Sequence, residues 1–69
     1  MEVKFAKRLK EMREEKGLTI TELGLKIGIA PNTVGRWEKG REAEYKNLIK
    51  LCLFFGCSAD YLLGIKDNE

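Results

Sequence analysis

Asn32, Thr33 and Arg36 place an amide, a hydroxyl and a guanidinium within one stretch of five residues. These are the groups that hydrogen-bond to phosphates and to base edges in the major groove of DNA. Pro31 stands just before them and suits the first turn of a helix, where its missing N–H leaves no bond unmade. Val34 and Trp37, three apart, share the other side and can pack inward. Segment 30–38 therefore reads as a short helix with an anchored face and a polar face. An ordinary amphipathic helix with a solvated outer side fits the same composition, so the rest of the chain has to decide.

The elements that would position this segment are all helical. Phe5, Leu9 and Met12 recur at i, i+4 and i+7, with Lys4, Lys7, Arg8, Lys10, Glu11 and Glu14 on the remaining faces, which predicts a helix over about 3–16 ended by Gly17. Thr19-Ile20-Thr21-Glu22 has the form of a capping box, with Thr19 as N-cap and Glu22 reaching back; Leu18 and Leu23 can add a hydrophobic staple. The helix it starts runs to about Ile27. Gly24 inside it is a poor helix former, and its expected use is to let a second helix backbone approach closely. Gly28 permits a tight turn, Ile29 faces the core, and the segment beginning near Pro31 ends at Gly40. After a loop over Arg41 to Glu44, an apolar helix follows from Tyr45 to Phe55, with Leu48, Leu51, Cys52 and Phe55 on one face and Ile49 and Leu53 on a second. Ser58 can N-cap a last short helix, Ala59 to Leu63, closed by Gly64. Residues 66–69 read as a frayed tail. No segment alternates with the period of a strand, and no repeat is present. The expected fold class is all-α: one compact five-helix domain over residues 1–69.

Composition narrows the functions. With 69 residues, 43% of them apolar and 35% charged, and a single proline, the chain is a small globular domain rather than a disordered or fibrous polymer. The formal charge is only +2, but its distribution is uneven: residues 1–41 carry ten Lys/Arg against six Asp/Glu, and residues 42–69 carry three against five. The positive excess lies on the side that holds Arg36. There is no histidine, and Cys52 and Cys57 alone do not make a zinc site, which wants four ligands. Both cysteines are expected to be small core residues rather than a disulfide. No metal or other cofactor is expected. No Gly-rich phosphate loop and no nucleophile beside a base can be found, so an enzyme is not expected. The N-terminal residues contain no apolar signal region and no run approaches the ~20 apolar residues of a membrane span, which leads to an expected cytoplasmic location without membrane or small-molecule partners.

Two helices joined by a short glycine-containing turn are the helix-turn-helix arrangement, here over about residues 19–38. The stretch from Leu18 through Gly24, Gly28, Val34 and Trp37 to Glu38-Lys39-Gly40 resembles the xenobiotic-response-element family of Cro and phage-repressor type. Gly24 sits at that family's small-residue position, Gly28 at its turn glycine, and Val34 and Trp37 at its two apolar anchors. The segment Ser58-Ala59-Asp60-Tyr61-Leu62-Leu63-Gly64 is similar to the family's final helix, so the resemblance spans about residues 3–64. It implies a lambda-repressor-like DNA-binding domain of prokaryotic or phage type. At matching positions it implies base contacts by Pro31, Asn32, Thr33 and Arg36, and phosphate contacts by Lys39 and Arg41. It also implies an ion pair between Arg13 and Glu38, partly buried between the first and third helices. Three positions depart from the pattern. Ile20 replaces a glutamine whose amide holds a phosphate, which leaves Thr19, Thr21 and backbone N–H groups for that role. Ala30 replaces a Ser or Thr cap, and Gly35 replaces a polar residue on the reading face.

The expected function is sequence-specific binding of double-stranded DNA by a transcriptional regulator, a repressor acting as a homodimer on a palindromic operator. The second apolar stripe, Ile49 and Leu53, together with Tyr61, Leu62 and Ile65, offers a self-complementary dimer surface; alternatively the fifth helix simply covers that stripe. The competing function is an antitoxin-like or adaptor module that uses the fold to bind protein.

Overall fold

The computed structural model describes residues 3–65. Five helices follow one another: α1 (Phe5–Glu15), α2 (Ile20–Ile27), α3 (Pro31–Glu38), α4 (Tyr45–Phe55) and α5 (Ala59–Leu63). The described residues contain no strand. The tail expected at 66–69 lies outside them. Each element matches its expected place, except that α1 is shorter at both ends. It begins at Phe5, with Lys4 as an N-cap that makes no side-chain bond, and it ends at Glu15, before Lys16 and Gly17 turn. Nothing at Val3 or Lys4 supplies the cap that would extend the first turn.

The start of α2 is fixed by the reciprocal bonds of the capping box. The Thr19 hydroxyl accepts from the Glu22 N–H at 3.0 Å, and the Glu22 carboxylate accepts from the Thr19 N–H at 2.8 Å. The bond from the Thr19 N–H favours the ionised acid, the Thr19 hydroxyl beside the carboxylate adds to it, and together they hold the Glu22 carboxyl below its ordinary pKa. Ser58 caps α5 in the simpler way, accepting from the Tyr61 N–H at 3.1 Å.

One core joins the five helices. Phe5, Leu9 and Met12 of α1, Leu23 of α2, Val34 and Trp37 of α3, Leu51 of α4 and Leu62 of α5 are all buried. The rings of Phe5 and Trp37 meet at 6.3 Å, tilted by 60°, within the range favoured for aromatic pairs. The placement of Leu62 is a correction. Expected on a dimer surface, it is fully buried instead, because the single turn of α5 points it into the shared core. Its neighbour Tyr61 is half-buried beneath Arg8 of α1, whose guanidinium lies 4.3 Å from the ring centre and donates to the Tyr61 carbonyl. Cys52 and Cys57 form no disulfide; they are partly buried against the core and hydrogen-bonded to each other, and burial pushes the Cys52 thiol up.

Candidate nucleic-acid interface

The junction of α2 and α3 depends on two glycines. Gly28 adopts φ 74°, ψ 32°, a left-handed conformation that L side chains rarely take, and it turns the chain out of α2. The Gly28 and Ile29 N–H groups both donate to the Gly24 carbonyl, the latter at 2.9 Å. Gly24 itself is buried, and a Cβ there would lie 2.5 Å from the Ile29 carbonyl oxygen and 3.3 Å from the Pro31 nitrogen. What approaches Gly24 is therefore the turn together with the first residue of α3, the close approach of a neighbouring helix backbone expected there. With a Cβ at that position the two helices could not meet at this angle.

α3 begins without a side-chain cap. Ala30 offers only its carbonyl, which accepts from the Thr33 N–H at 2.9 Å and the Val34 N–H at 3.2 Å, and Pro31 occupies the first turn. Tertiary packing compensates: Val34 and Trp37 are buried on one side. At the far end Glu38 is held by Arg13 of α1 through two bonds, Nε to Oε2 at 2.7 Å and Nη2 to Oε1 at 3.0 Å. The remaining Arg13 nitrogen donates to the Leu18 carbonyl at 2.8 Å. Pairing with Glu38 raises the Arg13 pKa despite the opposing effect of burial, so the cation persists at every ordinary pH. One guanidinium thus ties together α1, the start of the helix-turn-helix and the end of α3.

With its inner side anchored, α3 presents its other side to an open cleft. The cleft is lined by Lys10 of α1, Ile20 and Thr21 of α2, Pro31, Asn32, Gly35, Arg36 and Glu38 of α3, and Lys39 just beyond. Of the residues expected to contact DNA, it gathers Thr21, Pro31, Asn32, Arg36 and Lys39. Arg41 forms a second, adjoining notch with Arg36 and Lys39. Two residues stand apart. Thr33 is half-buried and does not line the cleft, and the Thr19 hydroxyl is occupied as the cap of α2. Four lining residues had no expected role in DNA contact: Glu38, expected only as the partner of Arg13, and Lys10, Ile20 and Gly35. Lys10 reads in sequence as one more solvated position of an amphipathic helix; only the crossing of α1 over α3 brings it to the cleft.

The stripe expected to pair two copies is also on the surface. Ile49 and Leu53 are 44% and 80% exposed, and they line an apolar groove with Tyr45, Leu48, Cys52, Ala59 and Leu63. α5 supplies one wall of this groove and does not cover it. Ile65 is exposed but lies outside the groove lining, as does Tyr61. Among the described residues, no helix is long and apolar enough to cross a membrane. No group of three or more His, Cys, Asp or Glu residues among them could hold a metal ion.

Comparison with known proteins gives a consistent result. Residues 9–62 match the family model described as helix-turn-helix. The HTH-type transcriptional regulator ImmR of Bacillus subtilis (strain 168) is 38% identical over 61 residues, covering 87% of this chain and 48% of that protein. The chain spans about half the length of the curated relatives it matches. Among solved structures, the P22 c2 repressor in complex with a synthetic operator superposes with a TM-score of 0.80 at 28% identity, covering 86% of this chain and 91% of that one. FeII HppE in complex with substrate superposes with a TM-score of 0.78 at 29% identity, over 91% of this chain but only 36% of that one.

Proposed function

Because the chain belongs to the helix-turn-helix family of xenobiotic-response-element type, we propose that it is a sequence-specific reader of double-stranded DNA that regulates transcription, most simply as a repressor. The observation that carries this reading is the cleft. Asn32 and Arg36 project from a helix whose opposite side is locked by Val34 and Trp37, and Lys10, Thr21 and Lys39 surround them. Asn32 pairs with adenine and Arg36 with guanine, each through two hydrogen bonds and each worth roughly 1–3 kcal/mol of discrimination. Pro31 adds an apolar contact, and Thr33, half-buried, is left with a peripheral contact to a base or phosphate. Lys39, Arg41 and Thr21 meet phosphates, while Thr19 contributes through the N-terminus of α2 that it caps.

A single unit of this size reads only a few base pairs, so the proposal includes a homodimer on a palindromic operator with half-sites about 10–11 base pairs apart. Ile49 and Leu53 in the apolar groove, with Ile65 and Tyr61 at its margin, are the residues for that contact. The same groove favours a second reading, an antitoxin-like or adaptor module that binds protein there.

Selection of bound sites from a random oligonucleotide pool tests the proposal directly. A palindromic consensus is expected, with an affinity that falls steeply as salt rises. Failure to enrich any sequence, together with no salt-dependent DNA affinity, would leave the protein-binding module as the better account.

A further inference from the structure

The chain has seven glycines, and the structure accounts for six of them. Gly17, Gly28, Gly40, Gly56 and Gly64 have positive φ, and Gly24 has no room for a Cβ. Gly35 has neither reason. It lies in the middle of α3 with ordinary helical backbone, and a Cβ added to it meets nothing within 4 Å. A glycine there weakens the helix and satisfies no packing demand. Its one consequence is a bare floor in the cleft.

The walls beside that floor are hydrocarbon. Ile20, the first residue of α2, is half-buried with its inner side against the core, and it lines the cleft with Pro31 and Gly35. Polar and basic groups lie on the same cleft: Asn32, Arg36, Lys10 and Lys39, with the carboxylate of Glu38 engaged by Arg13. A small apolar notch set among cations fits a polyanion that carries an isolated apolar group. On the major-groove edges of DNA, only the 5-methyl group of a pyrimidine answers to that description, and in unmodified DNA that pyrimidine is thymine.

We propose that Ile20, Pro31 and Gly35 form a receptor for the 5-methyl group of one thymine in each half-site. The assignment rests on the DNA-reading function proposed above and extends it. Ile20 becomes a specificity residue, and Gly35 is the space the methyl group enters. This also gives a reason for a β-branched apolar residue at a helix start that faces solvent on one side.

The test uses the whole chain and the operator selected from the random pool. Each thymine is replaced in turn by deoxyuridine, which keeps every hydrogen bond and removes only the methyl. Affinity is read by fluorescence anisotropy at fixed salt. One position per half-site is expected to lose roughly three- to fivefold on demethylation. Ile20→Ala should abolish that sensitivity while leaving the base preference that depends on Arg36 intact. Gly35→Ser, whose added Cβ meets nothing within 4 Å, should do the same by filling the notch, and its melting temperature reports that the fold survives. Thymine should also bind more tightly than 5-methylcytosine at that position; the reverse order would overturn the assignment to thymine. The proposal is overturned as well if every deoxyuridine is neutral, or if the loss persists unchanged in Ile20→Ala. Those results, with an Arg36-dependent consensus still present, would remove the methyl receptor alone. Absence of any selected sequence would remove the DNA-reading function with it.

Discussion

Arg36 and Lys39 both line the cleft, and the proposed function assigns them to different parts of a duplex. Arg36→Ala should relax sequence preference at one base position, with a loss of roughly 1–3 kcal/mol on the preferred sequence. Lys39→Ala should instead weaken binding to all sequences alike and make the salt slope shallower by about one. Footprint-resolved affinities on single-base variants of the operator separate the two; unchanged base preference in Arg36→Ala would show that the reading face is elsewhere. The glycines of α2 and α3 supply a second contrast. Gly24→Ala drives a methyl group into the Ile29 carbonyl, 2.5 Å away, and should destabilise the fold by about 2–3 kcal/mol in denaturant unfolding. Gly35→Ala meets no neighbour and should stabilise it by roughly 0.5–1 kcal/mol. Sequence pattern marks both as poor helix formers and anticipates a close approach at Gly24; that nothing meets Gly35 is settled only by how α3 packs in the assembled fold.

The helix starts and stops were legible because they are local. Thr19 and Glu22 are three residues apart, and the bonds between them need no other part of the chain. They also make α2 sensitive to acid. The folded Glu22 carboxyl has a lowered pKa, owing first to the Thr19 N–H and then to its hydroxyl. Its contribution is therefore fully present above the ordinary carboxylate pKa, about 4.3, and is lost as pH falls through the lower folded value. Melting temperatures of the protein and of Glu22→Ala should converge as pH falls from 6 towards 3, whereas a gap that stays constant would show that the charge plays no part. The facing of α5 was not legible in the same way. Five residues make little more than one turn, too few for periodicity to choose among Tyr61, Leu62 and Leu63. Burial of Leu62 is decided by the packing of α5 on α4, its neighbour in the chain, and on α1 from the far end of the sequence.

At the scale of the molecule, the question is how many copies act together. Leu53 is 80% exposed on an apolar groove whose far wall belongs to α5. Leu53→Glu places a charge there without touching the core, so sedimentation should report a monomer and operator binding should weaken sharply while the melting temperature changes little. A dimer that survives this change would move the contact to another surface. The reading cleft was legible in outline, since Asn32 and Arg36 could be placed on one side of a helix. Its third wall was not, because Lys10 arrives from α1 through a crossing that only the assembled core defines.

The Lys4 N–H donates to the Leu63 carbonyl at 3.0 Å, and Arg8 reaches the Tyr61 carbonyl beside it. The path into the fold and the path out of it are stitched together at one seam. Tension applied through the two ends would fall first on that seam, peeling α1 from α5, before any of it reached the turn between α2 and α3. The seam acts as a mechanical fuse, giving way before a pull travels along α1 to Arg13 and, through Glu38, to the end of α3.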